Sequence, residues 1–282
     1  TGTELQNWKL AAENELSKNF VSTDAFHIAT PDEIRKHGRP LPMLCVWTKL
    51  EAENYYKCRA CVCGNFAAAD PTLQSWTAQA EPSSLLASLK VGRTSGWTIS
   101  KHDVKGAFLN ASLPKDRLVV VSPPEQWVRW GLVAPNTLWA LDKAVYGLRE
   151  SPAPWSAERD SQLLKLSWTV GRREYYLRRC PSDSQVWMLS EPGDPSNKLL
   201  GILVVYADDF LLEADLGAVR DGLLKALSLI WTLDKEMTLT QQSPFTFLGI
   251  ELKLKNDGDL LLHQTMFVDS ILDKYGMSRS KG

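Results

Sequence analysis

Two adjacent aspartates, Asp208 and Asp209, interrupt an otherwise apolar run from Leu199 to Leu212. Burying two charges costs on the order of several kcal/mol unless something compensates them. A turn between two buried strands would place both carboxylates at the end of a hairpin, where a bound cation offsets their repulsion. An ordinary solvated Asp-Asp turn explains the same pattern, so this run alone leaves both interpretations open.

A third carboxylate, Asp103, follows a predicted strand that begins near Trp97. If that strand joins the hairpin, Asp103 meets Asp208 and Asp209 at one sheet edge. Carboxylate oxygens are the ligands that Mg²⁺ prefers, and two such ions can activate an attacking hydroxyl and stabilise a leaving pyrophosphate. The three acids together predict a divalent-metal site for phosphoryl transfer.

Predicted helices and strands alternate irregularly along the chain. A hairpin is predicted from Leu44 to Val62, with a polar loop at 51–54, and helices near 155–168 and 219–230. Further strands are expected between Phe245 and His263. Because no regular β-α-β rhythm appears, the pattern indicates an α+β fold.

Composition sets only broad limits. The 282 residues carry 32 basic and 33 acidic side chains, so the net charge of −1 gives no sign of nucleic-acid binding. Basic groups that line one channel could still bind a duplex, because local potential matters more than the sum. No apolar run reaches the roughly 20 residues of a membrane span. Since the sequence begins at Thr1, we expect a fragment of a longer product.

The five cysteines suggest reduced thiols inside a cell, since their number is odd and no secretory signal opens the chain. The spacing of Cys58 and Cys61 raises a zinc site as an alternative. Residues three apart on a strand face opposite sides, and no histidine lies nearby to complete four ligands. Zinc is therefore the weaker interpretation.

Four motifs, in order, resemble those of copia-type (pseudovirus-like) LTR retrotransposon reverse transcriptases. They are Asp-Val-Lys-Gly-Ala-Phe-Leu-Asn at 103–110, Lys-Ala-Val-Tyr-Gly-Leu-Arg-Glu-Ser-Pro at 143–152, Tyr-Ala-Asp-Asp at 206–209 and Phe-Leu-Gly-Ile-Glu-Leu at 247–252. The resemblance covers at least residues 45–277. Position 207, usually valine in this family, is alanine here.

The resemblance implies a right-hand polymerase fold, with fingers, palm and the beginning of a thumb or connection. Residues 1–78 and 111–149 would form the fingers, 79–110 and 150–254 the palm, and 255–282 the start of the thumb or connection. The implied activity is RNA-directed DNA synthesis, in which a primer is extended by two-metal-ion nucleotidyl transfer.

By the same resemblance, Asp103, Asp208 and Asp209 are the catalytic carboxylates. The carbonyl of Val104 joins them as a ligand of two Mg²⁺ ions, with Mn²⁺ as a possible substitute.

The resemblance also assigns residues to the incoming nucleotide. They are Lys57, Arg59, Gly106, Ala107, Phe108, Tyr146, Gly147, Tyr206 and Ala207. Phe108 would lie under the sugar and reject a 2′-hydroxyl, with a core phenylalanine as the alternative. Lys57 and Arg59 share one strand face by period-two spacing, which fits a triphosphate clamp and a solvated basic face equally well.

The segment Phe247, Leu248 and Gly249 resembles the primer grip, where Gly249 is expected to let one backbone approach another. The implied partners are an RNA or DNA template with primer and deoxynucleoside triphosphates, but no membrane. Ribonuclease H and integrase domains would lie outside this fragment. The implied location is intracellular, in a cytoplasmic particle or the nucleus.

Two other functions fit parts of the sequence. A catalytically degenerate or domesticated polymerase fold would bind nucleic acid or protein partners without synthesising DNA. An unrelated two-metal nuclease would share the acids, but the coupling of Tyr206–Asp209 to Phe108 and the 247–249 segment argues against it.

Overall fold

The structure is a computed structural model that describes residues 2–50, 55–68, 73, 76–193 and 198–277. The chain divides into two compact units. Unit 1 comprises Thr1–Thr77 and Gly106–Asp160, and unit 2 comprises Ala78–Lys105 and Ser161–Gly282.

Helices and strands follow one another without a repeating order. The helices are α1 (Gly2–Asn14), α2 (Pro31–His37), α3 (Pro82–Thr94), α4 (Glu125–Arg129), α5 (Pro152–Lys165), α6 (Ala218–Ile230) and α7 (Thr265–Lys274). The strands are β1 (Phe26–Ile28), β2 (Leu41–Leu50), β3 (Tyr55–Val62), β4 (Thr98–Asp103), β5 (Val120–Ser122), β6 (Trp139–Leu141), β7 (Ser167–Val170), β8 (Arg173–Arg179), β9 (Val186–Ser190), β10 (Gly201–Tyr206), β11 (Asp209–Ala214), β12 (Met237–Thr238), β13 (Phe245–Phe247), β14 (Ile250–Leu254) and β15 (Leu260–His263).

Unit 1 is built on a sheet with the strand order β1-β6-β5-β2-β3, in which β2 and β5 pair in parallel. A π-helical segment, Glu15–Val21, continues α1 and brings Phe20 into the core. The rings of Phe20, Trp127 and Trp139 pack together with centroids 6.0–6.2 Å apart. Such large buried aromatic side chains dominate the energetics of a core, which explains part of the high tryptophan content.

Unit 2 contains a sheet with the order β12-β4-β11-β10-β9-β8-β7. Helix α3 packs on one face, where the Ser88 hydroxyl bonds Glu213 of β11. Helix α6 covers the other face, where Arg220 bonds Ser100 of β4. Because both faces are covered, β10 is apolar at successive positions rather than alternating, which accounts for the continuous run in the sequence.

A separate sheet of β13, β14 and β15 packs into the core on the α3 side through Phe245, Phe247 and Leu252. Helix α7 follows this sheet, and none of its described residues is buried. None of the helices in the described ranges is long and apolar enough to cross a membrane.

The predicted α+β class is confirmed, as are the hairpin of β2 and β3, the Asp-Asp turn between β10 and β11, and helix α6. The predicted loop at 51–54 lies outside the described residues, as do residues 278–282 of the predicted thumb or connection. The sequence pattern missed β7, β8 and β9. Strand β8 mixes arginines and tyrosines, and its alternation of buried and exposed positions is legible only once Tyr175 and Leu177 are known to face the core.

Candidate active site

The two acids of the apolar run lie where β10 turns into β11. Tyr206 pairs with Asp209 in the ladder, so Ala207 and Asp208 form a two-residue turn. Ala207 has a φ of 53°, a left-handed conformation that costs an alanine roughly 1–2 kcal/mol relative to glycine.

Strand β4 carries the third acid to the same place. Asp103 is the ladder partner of Asp209, and the N–H of Val104 donates to the carbonyl of Asp208 over 3.0 Å. Directly paired residues of antiparallel strands project from the same face, so Asp103 and Asp209 are neighbours. The structure therefore brings together the three predicted carboxylates and Val104.

Several partly buried carboxylates lie close together at this end of the sheet, and two of them have raised pKa values. Burial, followed by the charges of Asp208, Asp209 and Asp234, raises the pKa of Asp103 to about 6. Burial also raises the pKa of Asp209, and the Lys101 ammonium acts against that rise. An excess of half-buried negative charge is a condition that a bound cation relieves.

Lys101 is one of two groups at this site that the sequence interpretation missed. Its Nζ lies 3.0 Å from Oδ2 of Asp209 and 3.3 Å from the carbonyl oxygen of Thr246 in β13. The signal was present in the sequence, because residues 101 and 103 of one strand share a face. A lysine two residues before an aspartate is equally compatible with a solvated strand face, so the spacing alone does not mark Lys101 as part of a site.

Asp234 is the second missed group. Its N–H donates to the carbonyl of Asp103 over 2.8 Å, and its carboxylate pairs with Lys105 at 3.0 Å. A cavity of about 490 Å³ opens at this point, and its lining includes Lys101, Asp103, Asp209 and Asp234. Asp234 belongs to none of the four sequence motifs. It reaches the site because the chain returns to β4 after α6.

The opposite face of β4 carries a buried polar network. The Ser100 hydroxyl bonds Nε2 of His102 at 3.0 Å and accepts a 3.0 Å bond from Arg220, which also pairs with Glu236. Burial lowers the pKa of His102 to about 4, so this imidazole is neutral at pH 7. The network ties α6 and the segment that carries Asp234 to the strand that ends in Asp103.

The donor types at the site fit a hard divalent cation, because they are carboxylate oxygens with water access. Within the described residues, no three His, Cys, Asp or Glu side chains already stand where one ion would contact them all. Asp209 is engaged by Lys101. Holding a shared ion would therefore require the carboxylates to turn toward one another.

The predicted nucleotide residues of unit 1 form a group of their own. Lys57 and Arg59 pair with Thr48 and Val46 in the β2–β3 ladder and share one face. Lys57 is exposed, whereas the Arg59 guanidinium lies over the ring of Tyr146 at 4.5 Å. The cationic face that the sequence predicted exists, and one of its two charges rests on an aromatic ring.

Phe108 packs edge-on against the same tyrosine, with centroids 5.0 Å apart. It belongs to a short 3₁₀ turn, Ala107–Asn110, that begins after Gly106 in the left-handed region at a φ of 59°. Phe108 is half-buried, while Ala107 and Leu109 of the same turn are fully buried. Phe108 is thus neither a fully buried core side chain nor a solvated one.

Gly147 lies where two backbones meet. The N–H of Val62 donates to the carbonyl of Tyr146 at 2.8 Å. A Cβ on Gly147 would lie 2.0 Å from the carbonyl oxygen of Val62, and its φ of 91° also disfavours a side chain. This close approach fixes Tyr146 beside the end of β3.

The predicted primer grip forms the hairpin turn between β13 and β14. Phe247 pairs with Ile250, so Leu248 and Gly249 make a two-residue turn in which both have positive φ, as a type I′ turn requires. No described atom of the chain lies within 4 Å of a Cβ built on Gly249, so Gly249 does not serve a close approach of the chain's own backbone. Its glycine serves the left-handed turn. The buried ring of Phe247 packs against Tyr206 at 6.5 Å.

Residues 30–282 match the family model described as reverse transcriptase (RNA-dependent DNA polymerase). The chain belongs to this family, and the predicted polymerase fold class is confirmed by the match.

Two curated relatives support the narrower resemblance. The chain is 28% identical over 185 residues to the retrovirus-related Pol polyprotein from transposon RE1 of Arabidopsis thaliana, covering 66% of this chain and 11% of the relative. It is 25% identical over 161 residues to a putative transposon Ty5-1 protein of Saccharomyces cerevisiae, covering 57% of this chain and 44% of the relative. The resemblance to copia-type retrotransposon reverse transcriptases is confirmed, and the chain spans about a tenth of the RE1 polyprotein.

Among solved structures, a foamy viral protease-reverse transcriptase in complex with double-stranded DNA aligns with a TM-score of 0.48 and 13% identity, over 95% of this chain and 37% of that chain.

Proposed function

We propose that this chain extends a primer on an RNA or DNA template as an RNA-directed DNA polymerase, using Asp103, Asp208 and Asp209 to hold two divalent cations. The observation that carries the proposal is the ladder pairing of Asp103 with Asp209, with Asp208 at the adjoining turn. Family membership supplies the reaction class, and Mg²⁺ or Mn²⁺ suits the donors.

The chain's own residues have separable tasks in this proposal. Asp103, Asp208 and the Val104 carbonyl would be the main direct ligands, and Asp209 would be the third carboxylate to hold the ions. When bound, the two ions supply activation of the primer hydroxyl and neutralisation of the leaving pyrophosphate. The pairing of β4 with β11 holds the backbones of Asp103 and Asp209 in place, so binding of a cation would require only the carboxylate side chains to move.

Unit 1 contains residues 1–77 and 111–149 of the predicted fingers together with residues 106–110 and 150–160 of the predicted palm, and its residues would contact the incoming deoxynucleoside triphosphate. Lys57 and Arg59 supply positive charge for the phosphates, and the N–H groups near Gly106 and Ala107 supply donors. Phe108 and Tyr146, which pack on each other, would face the sugar and the nascent base pair, with Gly147 fixing the tyrosine.

Unit 2 contains most of the predicted palm and the predicted start of the thumb or connection, and we propose that its residues contact the nucleotide and the primer. Tyr206 and Ala207 belong to the turn that carries the acids, and the turn at Leu248 and Gly249 is the proposed primer grip. The contact between Tyr206 and Phe247 joins the two elements. Synthesis would take place inside a cell, within a particle or the nucleus, beside ribonuclease H and integrase domains of a polyprotein.

Primer extension on a homopolymer RNA template with Mg²⁺ tests the proposal. Asp208→Asn should abolish extension and leave the melting temperature nearly unchanged, because one ligand is lost from a solvated turn and little packing changes. Asp215→Asn, an exposed aspartate at the other end of β11, is the matched control and should extend normally. Extension by Asp208→Asn would refute the assignment. Binding of primer–template without extension by the unmodified chain would favour a degenerate polymerase fold.

A further inference from the structure

Lys101 touches Asp209, one of the three proposed catalytic carboxylates. Its Nζ bonds Oδ2 of Asp209 at 3.0 Å, and the two side chains are only 21% and 24% exposed. At such partly buried positions, the attraction between unit charges is screened much less than at a solvated surface. The attraction between the two charges therefore persists in the presence of salt.

The lysine is held from two sides. The same Nζ lies 3.3 Å from the carbonyl oxygen of Thr246, in the strand that leads into the turn at Leu248 and Gly249. An ammonium has three donors, so both bonds form together. If Asp209 were engaged by another cation, the Thr246 carbonyl would still hold the lysine at the edge of the site.

A second lysine close by is bound differently. Lys105 pairs with Asp234 at 3.0 Å, and both side chains are 53% exposed. Exposed ion pairs contribute little and are screened by salt. The two lysines have the same charge and lie two residues on either side of Asp103, but only Lys101 contacts a proposed metal ligand.

We propose that Lys101 is the resident counter-ion of Asp209 and that it sets the concentration at which the site takes up a divalent cation. The inference rests on the proposed function of the same carboxylates. An incoming cation must compete with the ammonium for Asp209 and bind against its charge. Lys101 is accordingly a positioning residue that acts through Asp209, and it does not touch the reacting atoms.

Direct binding of Mn²⁺, measured from the electron paramagnetic resonance signal of the free ion and without nucleic acid, tests this inference. Lys101→Met should bind Mn²⁺ at least about tenfold more tightly. The repulsion between the ammonium and a cation a few ångström away in a half-buried site exceeds the about 1.4 kcal/mol that a tenfold change represents. Lys101→Arg keeps the charge and should bind within about twofold of the unmodified chain.

Lys105→Met is the matched control, because it removes the same charge from the exposed pair. It should change Mn²⁺ affinity by less than about threefold. An equal gain for Lys105→Met and Lys101→Met would overturn the inference, since the effect would then come from net charge alone. Unchanged affinity in Lys101→Met, or no detectable binding in that variant, would overturn it as well.

A double-mutant cycle isolates the pair. In an Asp209→Asn background, Lys101→Met should lose most of its effect, and an undiminished gain counts against pairing with Asp209. Asp103→Asn and Asp208→Asn separate the two proposals. If both still bind Mn²⁺, the metal site itself fails; if both lose it while Lys101→Met matches the unmodified chain, only the role of Lys101 fails. Melting curves of each variant confirm that the folded protein is compared.

Discussion

Asp103 lies directly opposite Asp209 in the antiparallel ladder of β4 and β11. The next residue of each strand end continues this pairing, because the N–H of Val104 donates a hydrogen bond to the carbonyl of Asp208. Like charges placed directly opposite in a sheet are destabilising. A chain selected only for stability would not keep this pair. The relationship therefore predicts a measurable conflict between folding and function.

Asp103→Asn should stabilise the metal-free chain at pH 7.5 by about 1–2 kcal/mol while abolishing extension. The pKa of Asp103 rises from 3.8 to about 6 on folding, so ionisation penalises the folded state above pH 6. The penalty disappears as the pH falls below about 4, where the residue is protonated in both states. Urea unfolding at pH 7.5 and pH 4 measures the difference. A variant less stable than the unmodified chain at pH 7.5 contradicts the repulsion argument.

Phe108→Ala should raise ribonucleotide incorporation relative to deoxyribonucleotide incorporation by roughly 10- to 200-fold in the ratio of kcat/KM values. The reason is that a ring beneath the sugar excludes a 2′-hydroxyl by contact. If Phe108 serves only the core, its loss costs about 3–5 kcal/mol and affects both substrates alike. Steady-state kinetics with matched nucleotide pairs decides. Phe20→Ala, in the same core, should destabilise without moving the ratio.

Gly147→Ala should destabilise the chain by about 2–4 kcal/mol, because the added methyl group meets the Val62 carbonyl and the backbone is left-handed. Gly131→Ala has a similar positive φ but no described atom within 4 Å of the added carbon, so it should cost only about 1–2 kcal/mol. Thermal unfolding of both variants gives the comparison. Equal costs would show that the close approach to Val62 contributes nothing.

Glu213→Gln should flatten the pH dependence of stability between about pH 4.5 and 7. Glu213 is fully buried, and burial raises its pKa to about 7, against a 2.7 Å bond from Ser88. A raised carboxyl pKa favours folding at low pH, and this contribution is lost as the pH rises through 7. At pH 8 the glutamine variant should be more stable by about 2–3 kcal/mol.

Asp103 titrates in an overlapping range with the same sign, so the comparison must be between Glu213→Gln and the unmodified chain at each pH. Subtracting the two profiles removes the contribution of Asp103. Parallel profiles from pH 4.5 to 8 would show that Glu213 titrates normally despite its burial.

Some features of the protein follow from the sequence alone. The apolar run broken at Asp208 and Asp209 predicts two buried strands and a turn, because adjacent charges are tolerated at a strand end and not inside a core. Period-two alternation places Lys57 and Arg59 on one face of β3, as the ladder shows. The order of four short motifs identifies the family. Each of these is a local property of spacing or residue type.

Only the tertiary structure decides which distant groups meet. Asp103 could have ended any strand; its position opposite Asp209 depends on β4 joining β11, a pairing between segments far apart in the chain. Asp234 reaches the site because the chain after α6 returns to β4, and Lys101 finds Thr246 because β13 packs nearby. The pairing of Phe247 with Ile250 places Gly249 in a two-residue turn, where its positive φ favours glycine. Non-local pairing carries no periodic signal, since it depends on the summed packing of elements rather than on the residues of one segment.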